Sequence, residues 1–165
     1  MLFRSAYDTP VPGEDAAPNL YTDPDLAAEA AVRAIEMGFT AIKQDPAGPY
    51  TIQGGRELSL TELARCEYNV KRIREAVGDR ADILFGTHGQ MTTSSAIRLA
   101  RRLEPYDPLW FEEPVPPENV DEMARVAKAT TIPIATGERL ATKYEFAQVL
   151  NKQAASILQI GRAHV

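Results

Sequence analysis

A single cysteine, Cys66, stands in the whole chain, so neither an internal disulfide framework nor a four-cysteine zinc site can be built from it. Cationic excess is missing as well. Eighteen Lys and Arg against 23 Asp and Glu leave a net charge of −5, which argues against nucleic acid or an anionic membrane surface as the main partner. No apolar run approaches the ~20 residues needed to cross a bilayer, and no signal-peptide pattern opens the chain. Absent too are a Gly-x-Gly-x-x-Gly turn after the first complete strand and any Gly-rich phosphate loop carrying Lys and Ser or Thr, so the common nucleotide-binding loops are excluded. What is left is the expectation of a cytoplasmic protein handling a small molecule. With 44% hydrophobic and 25% charged residues over 165 positions, the chain can bury an ordinary core, as one domain or as part of a large one.

What is present is alternation. Short apolar runs at 39–42, 83–85, 109–111, 132–135 and 155–158 are too short and too apolar on both faces for half-exposed strands, and read as buried parallel strands, with 1–4 as the remnant of an earlier one. Between them lie helix signals. Asp23 before Pro24 is an N-cap with a first-turn proline, and Gly38 supplies the stop. Ser59 with Glu62 fits a capping box, followed by an apolar stripe of Leu63, Cys66, Val70, Ile73 and Val77. Further helices are expected over 93–103, 120–129 and 143–150. About six strands and five helices in alternation make a parallel α/β protein, either an open doubly wound sheet or a closed barrel of βα units. Polar residues cluster just after the strand ends, which in a barrel converge on one mouth. Such a barrel needs roughly 250 residues, so residues 1–159 are expected to form an incomplete one. The Pro- and Gly-rich connections 8–23 and 45–58 read as site-forming loops. The closing 160–165 (Ile-Gly-Arg-Ala-His-Val) has neither strand nor helix logic, resembles a translated sequencing-library adapter, and is expected to be a non-native tail that makes His164 uninformative.

The strongest constellation is acidic. Glu112 and Glu113 follow Trp110-Phe111 at one strand end, and Glu138 follows Ile134-Ala135-Thr136-Gly137 at the next. Carboxylates at 112 and 138, one βα unit apart, are expected to point into the same mouth, where their repulsion calls for a compensating cation; hard oxygen ligands suit Mg²⁺. The competing reading is a set of solvated loop acids. His88, in Gly86-Thr87-His88-Gly89-Gln90 directly after a strand, suits general acid or base work, or is a hydrogen-bonded structural residue. Lys43 and Asp45 end the first complete strand with one residue between them, so both can face the mouth; the lysine could neutralise a substrate carboxylate, and the alternative is a surface ion pair. Arg139 is a weaker candidate for gripping an anion. Cys66 reads as core packing.

Gly38-Phe39-Thr40-Ala41-Ile42-Lys43, Trp110-Phe111-Glu112-Glu113-Pro114 and Ile134-Ala135-Thr136-Gly137-Glu138-Arg139-Leu140 together resemble the enolase superfamily, within it the mandelate racemase subgroup, and nearest to acid-sugar dehydratases of the galactonate type. That resemblance implies a (β/α)₇β barrel with a separate capping domain outside this chain, and one Mg²⁺ held by acids after three successive strands. Glu112 and Glu138 correspond to two of those acids. At the third position, 112 − 26 = 86, this sequence has Gly86, so His88 or an acid from another strand end, such as Asp45, would have to replace it, or metal binding is weakened. His88 corresponds to the histidine two residues beyond that position. Asp45 stands where racemases carry the second lysine of a Lys-x-Lys pair.

The implied activity is dehydration of a sugar acid, with His88, Lys43 and Asp45 as catalytic groups, Arg139 and Gln90 on the substrate, Glu112 and Glu138 on Mg²⁺, and a homo-oligomer as the intact assembly. A cycloisomerase or epimerase on the same scaffold, and a non-catalytic sugar-acid-binding relative, are the alternatives. An incomplete barrel exposes a strand edge, so the segment alone is expected to aggregate and to be inactive.

Overall fold

The computed structural model describes residues 20–48 and 57–160. Among these residues five strands and five helices alternate: α1 Pro24–Glu36, β1 Ala41–Gln44, α2 Leu60–Val77, β2 Asp82–Gly86, α3 Thr93–Leu103, β3 Trp110–Glu112, α4 Val120–Lys128, β4 Ile134–Thr136, α5 Lys143–Asn151 and β5 Ile157–Leu158. All neighbouring strands pair in parallel, and their order in the sheet is their order in the chain. A doubly wound sheet reverses its strand order at a switch point, and none occurs among the described residues. Uninterrupted succession, with every parallel crossover stepping to the next strand in chain order, is the arrangement of a barrel segment. The expected remnant strand at 1–4 and the residues 161–165 lie outside the described residues.

Local chemistry sets the helix starts. Asp23 Oδ1 accepts from the N–H groups of Asp25 (3.0 Å) and Leu26 (3.1 Å), with Pro24 in the first turn. Ser59 and Glu62 close the reciprocal capping box read from the sequence. A second box, Thr142 with Glu145, opens α5. Every member of the predicted α2 stripe, from Leu63 to Val77, is buried. Burial pushes the Cys66 thiol up to about 11, as befits a packing residue.

Strand starts fall later than the apolar runs suggest. The N–H of Phe39 still donates to Ala34 O at the end of α1, so β1 begins at Ala41. Pro133 has no N–H to donate, and β4 begins at Ile134.

Period-two alternation divides the sheet. Phe85, Phe111 and Ile134 enter one core with residues of α2, α3, α4 and α5, and the Phe85 and Phe111 rings lie 4.6 Å apart. Ile83 joins Ala27, Ala31, Ile73 and Val77 in a second core under α1 and α2. The other face carries Lys43, Leu84, Gly86, Trp110 and Glu112, and its C-terminal edge forms the site.

Candidate functional site

Register places the central residues. Lys43 pairs with Leu84, Gly86 with Glu112, and Glu112 with Ala135. Gly86 is therefore level with Glu112 on the intervening strand β2, as the 26-residue step from the sequence suggests. Lys43 rises from β1, passes over Gly86 and reaches β3, where its Nζ lies 2.5 Å from Glu112 Oε2. A Cβ at position 86 would stand 3.2 Å from Glu112 Cβ and 3.4 Å from Lys43 Cε, so the bare glycine opens this path. Both charges are withdrawn from water, with side-chain exposures of 18% for Lys43 and 4% for Glu112. Gln159, the residue after β5, donates from Nε2 to the same Glu112 oxygen at 2.6 Å. Its own Oε1 is buried with no partner among the described residues. Sequence reading passed over Gln159, although its position directly after an apolar run is the signal that picked out Glu112.

The second unit is Asp45 with His88. Asp45 is buried, and its Oδ1 accepts from the N–H groups of Ala47 (3.0 Å) and Gly48 (3.2 Å), which fixes the carboxylate at the end of β1. Its Oδ2 lies 3.4 Å from His88 Nδ1. That contact holds the imidazole pKa above its ordinary value against the opposing effect of burial, with smaller contributions from the charges of Glu138 (upward) and Lys43 (downward). Lys43 and Asp45 do not form the surface pair weighed from the sequence: each is partnered inside the site, by Glu112 and by His88.

A third group braces the turn. His88 (φ 52°) and Glu113 (φ 42°) both occupy left-handed backbone, unusual for non-glycine residues. Glu113 O accepts from Gly89 N (2.8 Å) and Thr87 Oγ1 (3.1 Å). The Glu113 carboxylate, 1% exposed, accepts from Arg139 Nε (2.9 Å) and Nη2 (2.6 Å), and Arg139 Nη2 also donates to His88 O (3.2 Å). Burial raises the Glu113 pKa and Arg139 opposes the rise. The Arg139 guanidinium, expected to grip a substrate anion, is thus engaged by Glu113 and the His88 carbonyl. Gln90 closes the turn through its N–H to Thr87 O (3.0 Å) and is half-buried. Glu138 is exposed in the turn after Gly137. It lies three residues beyond Ala135, the register partner of Glu112, so equal sequence spacing did not make the two glutamates level.

The family resemblance implies a metal-dependent mechanism, commonly with Mg²⁺. The donor set here does not fit that ion. Among the described residues, no group of three or more His, Cys, Asp or Glu side chains could hold a metal. Position 86 offers no side-chain oxygen, and the Lys43 ammonium lies against Glu112 Oε2. The neighbouring carboxylates, Asp45 and Glu113, are engaged by His88 and Arg139.

Known proteins of similar sequence and shape agree with this architecture. Residues 25–165 match the family described as enolase C-terminal domain-like. The chain is 42% identical over 140 residues to a D-xylonate dehydratase of Haloferax volcanii, covering 82% of this chain and 34% of that protein. With a D-gluconate dehydratase of Thermoproteus tenax it shares 36% over 137 residues, 83% of this chain and 27% of the relative. A crystal structure from Burkholderia SAR-1, assigned as a candidate mandelate racemase/muconate lactonizing enzyme, superposes with a TM-score of 0.80 at 66% identity, over 84% of this chain and 34% of that one. The chain spans about a third of the length of these relatives. No helix among the described residues is long and apolar enough to cross a membrane. Parallel strands in chain order, acids and a histidine at their C-terminal ends, and this similarity lead to one conclusion: the chain belongs to the enolase C-terminal domain-like family, in its mandelate racemase/muconate lactonizing branch, and resembles the acid-sugar dehydratases.

Proposed function

We propose that the protein containing this segment dehydrates a sugar acid, and that the Asp45–His88 pair carries the reading. Asp45 engages Nδ1 of the imidazole and so fixes the ring, and the raised pKa keeps a proton available to give. In a substrate with hydroxyls on carbons 2 and 3, the C2–H bond breaks and its electron pair passes into the carboxylate as an enediolate. That pair then expels the 3-hydroxyl, which takes the His88 proton and leaves as water. Tautomerisation of the resulting enol gives a 2-keto-3-deoxy acid. The base that removes the C2 proton is assigned to a later strand of the complete barrel, outside this chain. Lys43 supplies positive charge for the carboxylate where enediolate charge develops.

Support for elimination over racemisation comes from position 45. An aspartate there orients a histidine, whereas a second lysine would offer a two-base arrangement. The relatives named as dehydratases of xylonate and gluconate point the same way. The test is a panel of sugar acids incubated in D₂O with the full-length protein and followed by NMR. Dehydration shows as loss of the 3-hydroxyl with deuterium entering carbon 3, and His88→Asn should slow it by about 10²–10⁴-fold. Deuterium at carbon 2 with both hydroxyls retained would identify an epimerase instead. Binding without turnover would leave a sugar-acid-binding relative.

A further inference from the structure

The observation with the widest consequence is the side chain that crosses Gly86. Two glutamates at neighbouring strand ends raise the question of what balances them. Lys43 answers it for Glu112 from within the chain: its ammonium lies 2.5 Å from Oε2, with the carboxylate almost wholly buried and the lysine largely so. An ammonium offers three donors, of which the contact with Glu112 uses one, and the remaining exposure of Lys43 leaves it reachable from the mouth. A Cβ at residue 86 would touch Lys43 Cε and press on Glu112 Cβ, so the glycine leaves the crossing its room. Gln159 fastens the same carboxylate from the opposite side, so Glu112 is oriented by the protein alone.

We propose that Lys43 is the resident cation of this site: paired with Glu112 across Gly86, it replaces the divalent ion that carboxylates at these strand ends would otherwise require. The loss of an acid at 86 and the inward reach of Lys43 are then one adaptation. A divalent ion at Glu112 would have to displace an ammonium already in contact, and would meet too few carboxylates to offset that repulsion. Which anion the ammonium receives rests on the dehydratase reading. The replacement of the metal does not.

Mn²⁺ is the probe, followed by electron paramagnetic resonance on the full-length protein in its wild-type form, as Glu112→Gln, and as the double variant Lys43→Ala/Gly86→Asp. The first comparison isolates binding that depends on Glu112. Its absence in the wild type supports the proposal, and one Mn²⁺ bound by the wild type and lost in Glu112→Gln overturns it. The double variant removes the ammonium and restores an acid. It should bind Mn²⁺ roughly tenfold or more tightly than the wild type, the direction expected when a cation is removed and a carboxylate added at short range. A folded double variant that gains nothing overturns the proposal, and if thermal melting shows this variant unfolded, the wild-type comparison decides alone. Failure of the dehydratase reading would appear separately, as absence of the keto-deoxy product with metal binding unchanged.

Discussion

At the scale of single residues, the site is a set of charges paired between strand ends: Asp45 with His88 and Glu113 with Arg139 on neighbouring strands, and Lys43 with Glu112 across an intervening one. His88 is the one whose charge changes near neutral pH. Contact with Asp45 raises its folded-state pKa above the ordinary histidine value, so the pair stabilises the fold fully below about pH 6.5 and loses that contribution as pH rises through the folded value. Asp45→Asn should move the His88 ring-proton titration, read by NMR, down toward the ordinary range and flatten the alkaline limb of stability against pH; an unmoved midpoint would exclude Asp45 as the cause. These partnerships were only partly legible in the sequence. Strand-end position singled out Lys43, Asp45, His88, Glu112 and Glu138, because a polar residue directly after an apolar run has few places to go. Who pairs with whom depends on sheet register and on side chains crossing an intervening strand. Thus Lys43 was read beside Asp45, its sequence neighbour, and found its charge partner two strands away.

At the scale of elements, the sequence was far more explicit. Each helix is announced by a capping side chain: Asp23, Ser59, Thr92, Asn119 and Thr142 all accept from first-turn N–H groups. These signals are local, which is why they can be read without the fold. Ser59→Ala removes the side-chain half of a reciprocal box and should cost about 1 kcal/mol in denaturant unfolding. Native-state hydrogen exchange should speed up most in the first turn of α2. Strand edges were less legible, since a proline or a helix-closing bond shifts the first ladder residue without altering the apolar run.

For the whole molecule, chain-order pairing of parallel strands means that each helix packs against the sheet beside the next, and the larger core runs continuously from α2 to α5. Phe111 stands within it, fully buried and against Phe85. Phe111→Ala should therefore lower the stability of the described body by about 3–5 kcal/mol, and fluorescence and circular dichroism should report the same midpoint shift. A loss confined to one probe would mean that the core does not act as a single unit. Alternation predicted the layers but could not choose between an open sheet and a barrel segment, because handedness and strand order are properties of the crossovers.

The lysine that bridges over Gly86 also constrains how such a sequence can change. Trimming Lys43 first strands a buried glutamate without its counter-charge, and an acid introduced first at 86 crowds Lys43 Cε while adding negative charge beside Glu112. Either order begins with a costly intermediate. Positions 43 and 86 should therefore drift as a linked pair among descendants of this sequence, each substitution tolerated only on the background that already carries the other.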